Sequence, residues 1–137
     1  MASHTGQDIC DRTFEFAVRI VGFSQRLDEA GGVPRILGRQ LLRAGTSIGA
    51  NVEEAQAGQS RADFQSKIDI ALKEARETRY WLRLLATCSI LTTDELDSVA
   101  REATEIARIL GAISASTRRR TPLGSLFTFL LSHFAFR

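Results

Sequence analysis

Four stretches of this chain repeat apolar residues at alternating three- and four-residue spacing, and a short breaker segment follows each of the first three. That spacing gathers apolar side chains into one stripe along an α-helix, so each stretch needs a partner to cover its stripe. The first is expected over 7–29, with Thr13, Phe16, Ile20, Phe23 and Leu27 inward and Phe14, Ala17 and Val21 widening the stripe. Ala30-Gly31-Gly32 ends it, since glycine readily takes the left-handed conformation that closes a helix. The second opens with Pro34 in its first turn, where proline is tolerated, and closes at Gly58. It turns Leu37, Leu41, Ala44, Ile48, Val52 and Ala55 inward.

The third stretch begins at Ser60, an N-cap with Asp63 three residues on, close to a capping box. Its seam is Phe64, Ile68, Ala71, Ala75, Thr78, Leu82 and Leu85. The fourth opens at Thr93 with Asp94 and Glu95 in its first turn, where acids suit the positive end of the helix dipole. Leu96, Val99, Ala103, Ile106, Leu110 and Ile113 form its stripe. Strict three-four spacing predicts left-handed packing at about 20°. Short connections make neighbours antiparallel, which gives an all-α, up-down-up-down four-helix bundle. A coiled-coil filament does not fit, because loops interrupt every helix.

The chain is short enough for one domain and long enough for a core without disulfides or metals. The bundle is expected over 1–116 and a separate tail over 117–137. Arg118, Arg119 and Arg120 open that tail, followed by an apolar run from Leu123 to Phe136 that is too short to span a bilayer. It can pack on the bundle or a neighbouring subunit, lie on a membrane surface with help from the arginines, or stay disordered. A membrane partner is not expected. The two cysteines, Cys10 and Cys88, lack CxxC spacing, and the N-terminus lacks the apolar run of a signal peptide, so a reducing cytoplasm is the expected address.

Helix two carries an anomaly. Gly45, Thr46, Ser47, Gly49 and Asn51 are all weaker helix formers than alanine, and each glycine costs about 1 kcal/mol. Their presence calls for close backbone approach or a specific polar contact. Gly45, Ser47, Gly49, Asn51 and Glu54 are therefore expected to form a packing or oligomer network, with direct ligand contact as the other reading.

The formal charge of +2 hides an uneven distribution. Residues 1–116 hold 14 Lys+Arg against 16 Asp+Glu, so the bundle itself is slightly acidic and the tail carries the remaining four arginines. Arg12, Arg19, Arg26, Arg101 and Arg108 each have an acid three or four residues away and read as solvated pairs within a helix. Arg35, Arg39 and Arg43 on helix two, and Arg76, Arg79 and Arg83 on helix three, have none at that spacing. An antiparallel hairpin about Gly58 sets the two rows level, at one end of the hairpin. Their partners are acids of another helix or subunit, or else phosphate or an acidic protein surface. Tyr80-Trp81 can stack bases, but Trp81 adjoins the helix-three stripe and reads as core.

Motifs for chemistry are missing. A carboxylate-bridged di-iron bundle needs inward glutamates with Glu-x-x-His pairs, and the only histidines, His4 and His133, fall outside the four helices. Neither GxxxxGK[ST], GxGxxG nor HExxH occurs. Enzymatic activity is not expected, and neither is a cofactor or a metal.

The run from Leu41 to Leu85 resembles the four-helix-bundle family encoded in intervening sequences of bacterial 23S ribosomal RNA genes. An SI-x-x-N-x-x-E element appears as Ser47, Ile48, Asn51 and Glu54, and a KEA-x-E-T-x-Y/F-WL element runs from Lys73 through Leu82. The likeness spans roughly 14–112. It implies a non-enzymatic homo-oligomer, typically a pentameric ring, whose biochemical role is poorly defined. YWLRLL, Leu91-Thr92-Thr93 and RILGAI are also similar to the accessory variability protein of diversity-generating retroelements. That likeness implies a strongly basic pentamer that binds nucleic acid and a reverse transcriptase, whereas this bundle is slightly acidic. The expectation is a bundle that binds RNA or a nucleoprotein through Arg35, Arg39, Arg43, Arg76, Arg79 and Arg83. The competing expectation is a structural or protein-binding oligomer.

Overall fold

A computed structural model describes residues 8–91 and 93–119. Within them lie α1 (Ile9–Ala30), α2 (Gly32–Gln56), α3 (Arg61–Thr87) and α4 (Asp94–Arg118). The expected tail from residue 120 onward, including Arg120, and both histidines lie outside the described residues. α4 runs on through Thr117 and Arg118, and Thr117 is buried.

Each boundary has a local cause. Asp8 accepts a hydrogen bond from the Cys10 amide at 3.0 Å and starts α1. Gly31 and Gly32, at φ +71° and +56°, reverse the chain with one residue between α1 and α2. Ser60 accepts from the Asp63 amide, and Thr93 from the Leu96 amide, both at 3.1 Å. α3 ends in a Schellman motif: Ser89 stands at φ +54°, and the Ile90 amide donates to the Leu85 carbonyl at 3.1 Å.

Cross-helix contacts fix an antiparallel register around the bundle. Gly38 and Gly45 of α2 meet Leu27 and Ile20 of α1. Glu54 pairs with Lys67 of α3 at 2.6 Å. Asp69 of α3 accepts from Ser114 (2.6 Å) and Arg118 (2.7 Å) of α4, and from Gln65 at 2.9 Å. Burial pushes the Asp69 carboxyl up, but those three hydrogen bonds outweigh it and hold the group below its ordinary value. Arg61 donates to the carbonyls of Thr117 and Arg119, satisfying the last turn of α4.

The stripes read from the sequence are the core. Phe16, Ile20, Phe23, Leu41, Ile48, Ile68, Leu82, Leu85, Ile106 and Leu110 are at most 1% exposed. The widening of the α1 stripe is corrected: Phe14 is 61% exposed and Val21 40%, Val21 lining the open depression between α1 and α2, so the buried stripe ends short of both. Cys10 and Cys88 are free thiols, and burial, with the nearby acids Asp8 and Glu53, pushes Cys10 up to about 12.

The weak helix formers of α2 are explained by close approach. A Cβ at Gly45 would lie 2.9 Å from two Ile20 side-chain carbons, and at Gly38 2.8 Å from the Leu27 Cβ. At Gly49 it would press the Thr13 backbone at 3.3 Å. Gly111 of α4 faces open space. Gly45→Ala is therefore expected to lose about 1–3 kcal/mol despite alanine's better helix propensity. Gly111→Ala should gain about 0.5–1 kcal/mol. Urea denaturation of the two variants beside the parent checks the opposite signs.

Candidate nucleic-acid interface

An arginine can hold a phosphate only if its guanidinium is not already committed to a carboxylate, so the partners of each arginine decide what the surface can bind. On α1, the arginines expected to pair within the helix also reach across to α4. Arg12 reaches Glu102 of α4, its Nε donating at 2.6 Å, and this hydrogen bond raises the Arg12 pKa. Arg19 donates to the Ser98 hydroxyl at 2.9 Å. Arg26 pairs with Glu95 at 2.8 Å while its guanidinium lies 4.5 Å from the Phe23 ring centre. These three heptad-spaced arginines reach across to α4. The Arg108–Glu105 pair, expected within its helix, forms at 2.6 Å.

The six arginines lacking acids on their own helices divide into three groups. Arg35 pairs with Asp28 of α1, at 3.2 Å from Oδ1, and donates to the Asp28 carbonyl. Arg43 donates to Glu77 and, at 3.4 Å, to Glu74, both on α3. Arg39, Arg76, Arg79 and Arg83 are exposed and, among the described residues, make neither an ion pair nor a hydrogen bond.

Nor do the six share one surface. Arg35 and Arg39 line a depression of about 500 Å³ between α1 and α2, beside Asp28 and Glu29. Arg76, Arg79 and Arg83 line a groove of about 460 Å³ between α3 and α4. Level position along two antiparallel helices fixes height but not direction around the axis. At 100° per residue, each i+4 step turns the α2 row by about 40°, carrying it from the α1 side to the α3 side. The α3 row sits on the edge facing α4.

That α3–α4 groove has the chemistry of an anion site. Three unpaired guanidiniums stand along about two turns of α3, with Tyr80, itself 48% exposed, among them. Asp97 is the acid on the opposite wall, with Ala100 and Thr104. Asp97, Ala100 and Thr104 also line the neighbouring depression beside Arg101. Arg101, read from sequence as paired within its helix, is exposed and unpaired among the described residues. No i±3 or i±4 rule distinguishes it, because Asp97 and Glu105 lie at the spacing that predicts pairing.

The small and polar residues of α2 are satisfied locally. Ser47 donates to the Arg43 carbonyl at 2.7 Å, and the Asn51 amide to the Ser47 carbonyl at 2.8 Å. Gly45 and Gly49 pack on α1, while Glu54 faces Lys67 of α3. Trp81 is half-buried against the core and donates through Nε1 to Glu77 at 3.2 Å. Among the described residues no group of three His, Cys, Asp or Glu side chains is placed to hold a metal, and no helix is long and apolar enough to cross a membrane.

Arg43→Gln is expected to cost about 0.5–1 kcal/mol, because Glu74 and Glu77 lose their shared cation. Arg79→Gln should leave stability unchanged or raise it slightly, since it removes a like charge beside Arg76 and Arg83. Thermal melts of both variants beside the parent distinguish a structural arginine from a free one.

A family model described as 23S rRNA-intervening sequence protein matches residues 6–112. Among solved structures, a protein of unknown function from the S23 ribosomal protein family of Bacteroides thetaiotaomicron is 45% identical, with a TM-score of 0.72. The likeness covers 77% of this chain and 97% of that one. No curated protein matches the chain.

Proposed function

The chain belongs to the family of 23S rRNA-intervening sequence proteins, and from that premise we propose that it is a cytoplasmic, non-enzymatic RNA-binding bundle. The single observation that carries this reading is the α3–α4 groove, where Arg76, Arg79 and Arg83 stand exposed with no carboxylate paired to them among the described residues. Elsewhere most arginines meet an acid, as Arg12 and Arg26 of α1, Arg35 and Arg43 of α2 and Arg108 of α4 do, and the unpaired Arg39 and Arg101 stand singly rather than in a row. A cluster of like charges left open repels itself, and phosphate relieves that repulsion while releasing counterions from the RNA. Arg43 and Arg35, committed to Glu77 and Asp28, hold the scaffold in this reading and do not touch RNA. Ribosomal RNA and the RNA of a reverse-transcriptase complex are the two settings that the resemblances imply.

The reading includes self-assembly, as the pentameric ring of the resemblance implies. Phe14, Val18 and Val21, 61%, 56% and 40% exposed, follow one another at four and three residues on the outer side of α1. Such a strip suits a second copy of the chain. Val18→Asp is expected to lower the mass measured by light scattering without loss of helicity, and an unchanged mass would remove this face from the assembly.

RNA binding is tested by a filter-binding salt series. Changing Arg76 and Arg79 together to Gln should flatten the log–log salt slope for single-stranded RNA by about 1.4, at about 0.7 for each phosphate no longer neutralised. The melting temperature should stay level. A parent protein without RNA affinity, together with a double variant of lower stability, would make the chain a purely structural oligomer.

A further inference from the structure

Tyr80 is the one tyrosine and Trp81 the one tryptophan of the chain. Their rings meet edge to face, with centres 5.0 Å apart and planes at 74°. Trp81 packs against the core, and its Nε1–H donates to Glu77, which also accepts from Arg43 of α2. Tyr80 is thus braced by a side chain that is itself tied to two helices. Tyr80 is 48% exposed within the groove that Arg76, Arg79 and Arg83 line. Among the described residues no arginine stacks on that ring, although three stand around it.

A braced aromatic ring between unpaired cations matches the two requirements of a single nucleic-acid strand, a π-face for the base and positive charge for the backbone. We propose that Tyr80 is a base-stacking platform and that the α3–α4 groove takes RNA as a single strand. This rests on the RNA-binding reading of the same groove and names the form of RNA it accepts. Bases inside a duplex already stack on one another, and extruding one carries an unstacking penalty. A single strand offers the same face without that penalty. Asp97 on the α4 wall turns phosphates toward α3, so the backbone lies along the arginines and a base turns onto Tyr80.

The test compares a short oligouridylate with an RNA duplex of equal length, for the parent, Tyr80→Leu, Tyr80→Phe and the Arg76/Arg79 double Gln variant. Binding is followed by filter retention and by the emission of Trp81, which senses its neighbour Tyr80. Tyr80→Leu should weaken oligouridylate binding by about tenfold, the range expected when a base–aromatic stack is removed, with the salt slope unchanged. Tyr80→Phe should bind like the parent, and emission should change on saturation with oligouridylate. The exposed ring makes little of the core, so melting temperatures should agree across the tyrosine variants. Equal affinity of Tyr80→Leu and parent for oligouridylate would overturn the stacking role and leave the arginine-based RNA reading standing. A parent that binds duplex as tightly as single strand would overturn the single-strand preference in the same way. A parent that binds neither RNA would remove the RNA reading itself and this inference with it.

Discussion

The contact between α1 and α2 sets the frame for everything else. Three glycines on one face of α2 bring its backbone against Leu27, Ile20 and Thr13, where any side chain would crowd them. Glycine inside a helix weakens it by about 1 kcal/mol relative to alanine. The tight packing it permits, with Ile20 fully buried, offsets that loss through apolar burial and dispersion contacts. With α2 seated this deeply, its azimuth is fixed. Arg43 is then carried to the α3 side, opposite Glu74 and Glu77, and Arg35 to the α1 side, beside Asp28.

The surface divides along the same lines. Arg12 and Arg26 at the α1–α4 seam and Arg43 at the α2–α3 seam end on carboxylates, and exposed pairs of this kind contribute up to about 1 kcal/mol each. Their larger effect is to use up charge. Arg12, Arg26, Arg35, Arg43 and Arg108 are neutralised where they stand, so the bundle presents no general positive field among the described residues. Against that background the three arginines of α3 form a local feature, and their range is short because salt screens exposed charges within about 10 Å. The RNA binding proposed for this groove therefore rests on contact and not on long-range steering.

Almost the whole helical scaffold was legible in the sequence, because periodicity and capping are local. The seams of α3 and α4 are buried at every position read for them, and Ser60 and Thr93 cap as their types predict. What periodicity could not supply is the direction of the neighbouring helix. Phe14 and Val21 adjoin the α1 stripe on the wheel, yet only the placement of both neighbouring helices around α1 shows that they fall outside the core. The same gap affects charge. Spacing along one helix pairs Arg12 with Asp8 or Glu15, but a long side chain at a seam reaches the next helix, and Arg12 finds Glu102. The arginines of α3 were legible as unpaired within their helix. Their separation from those of α2 required the azimuth of each row.

Glu77 shows how the scaffold and the groove are joined. Its carboxylate accepts from Arg43 of α2 and from the indole of Trp81, one turn further along α3. Side chains four apart on a helix are neighbours, so the indole contact follows from sequence spacing alone. The arginine contact follows only from how α2 packs. Between them they immobilise Trp81, whose edge-to-face contact then orients Tyr80 at the surface. A platform for a flat ligand needs this kind of rigidity, since each rotamer left free in the unbound protein must be frozen on binding, at about 0.5–1.5 kcal/mol. Arg43, which on sequence belongs with the free arginines, thus has its effect inward. By occupying Glu77 it helps to hold the aromatic pair, and it stands apart from the unpaired row of Arg76, Arg79 and Arg83.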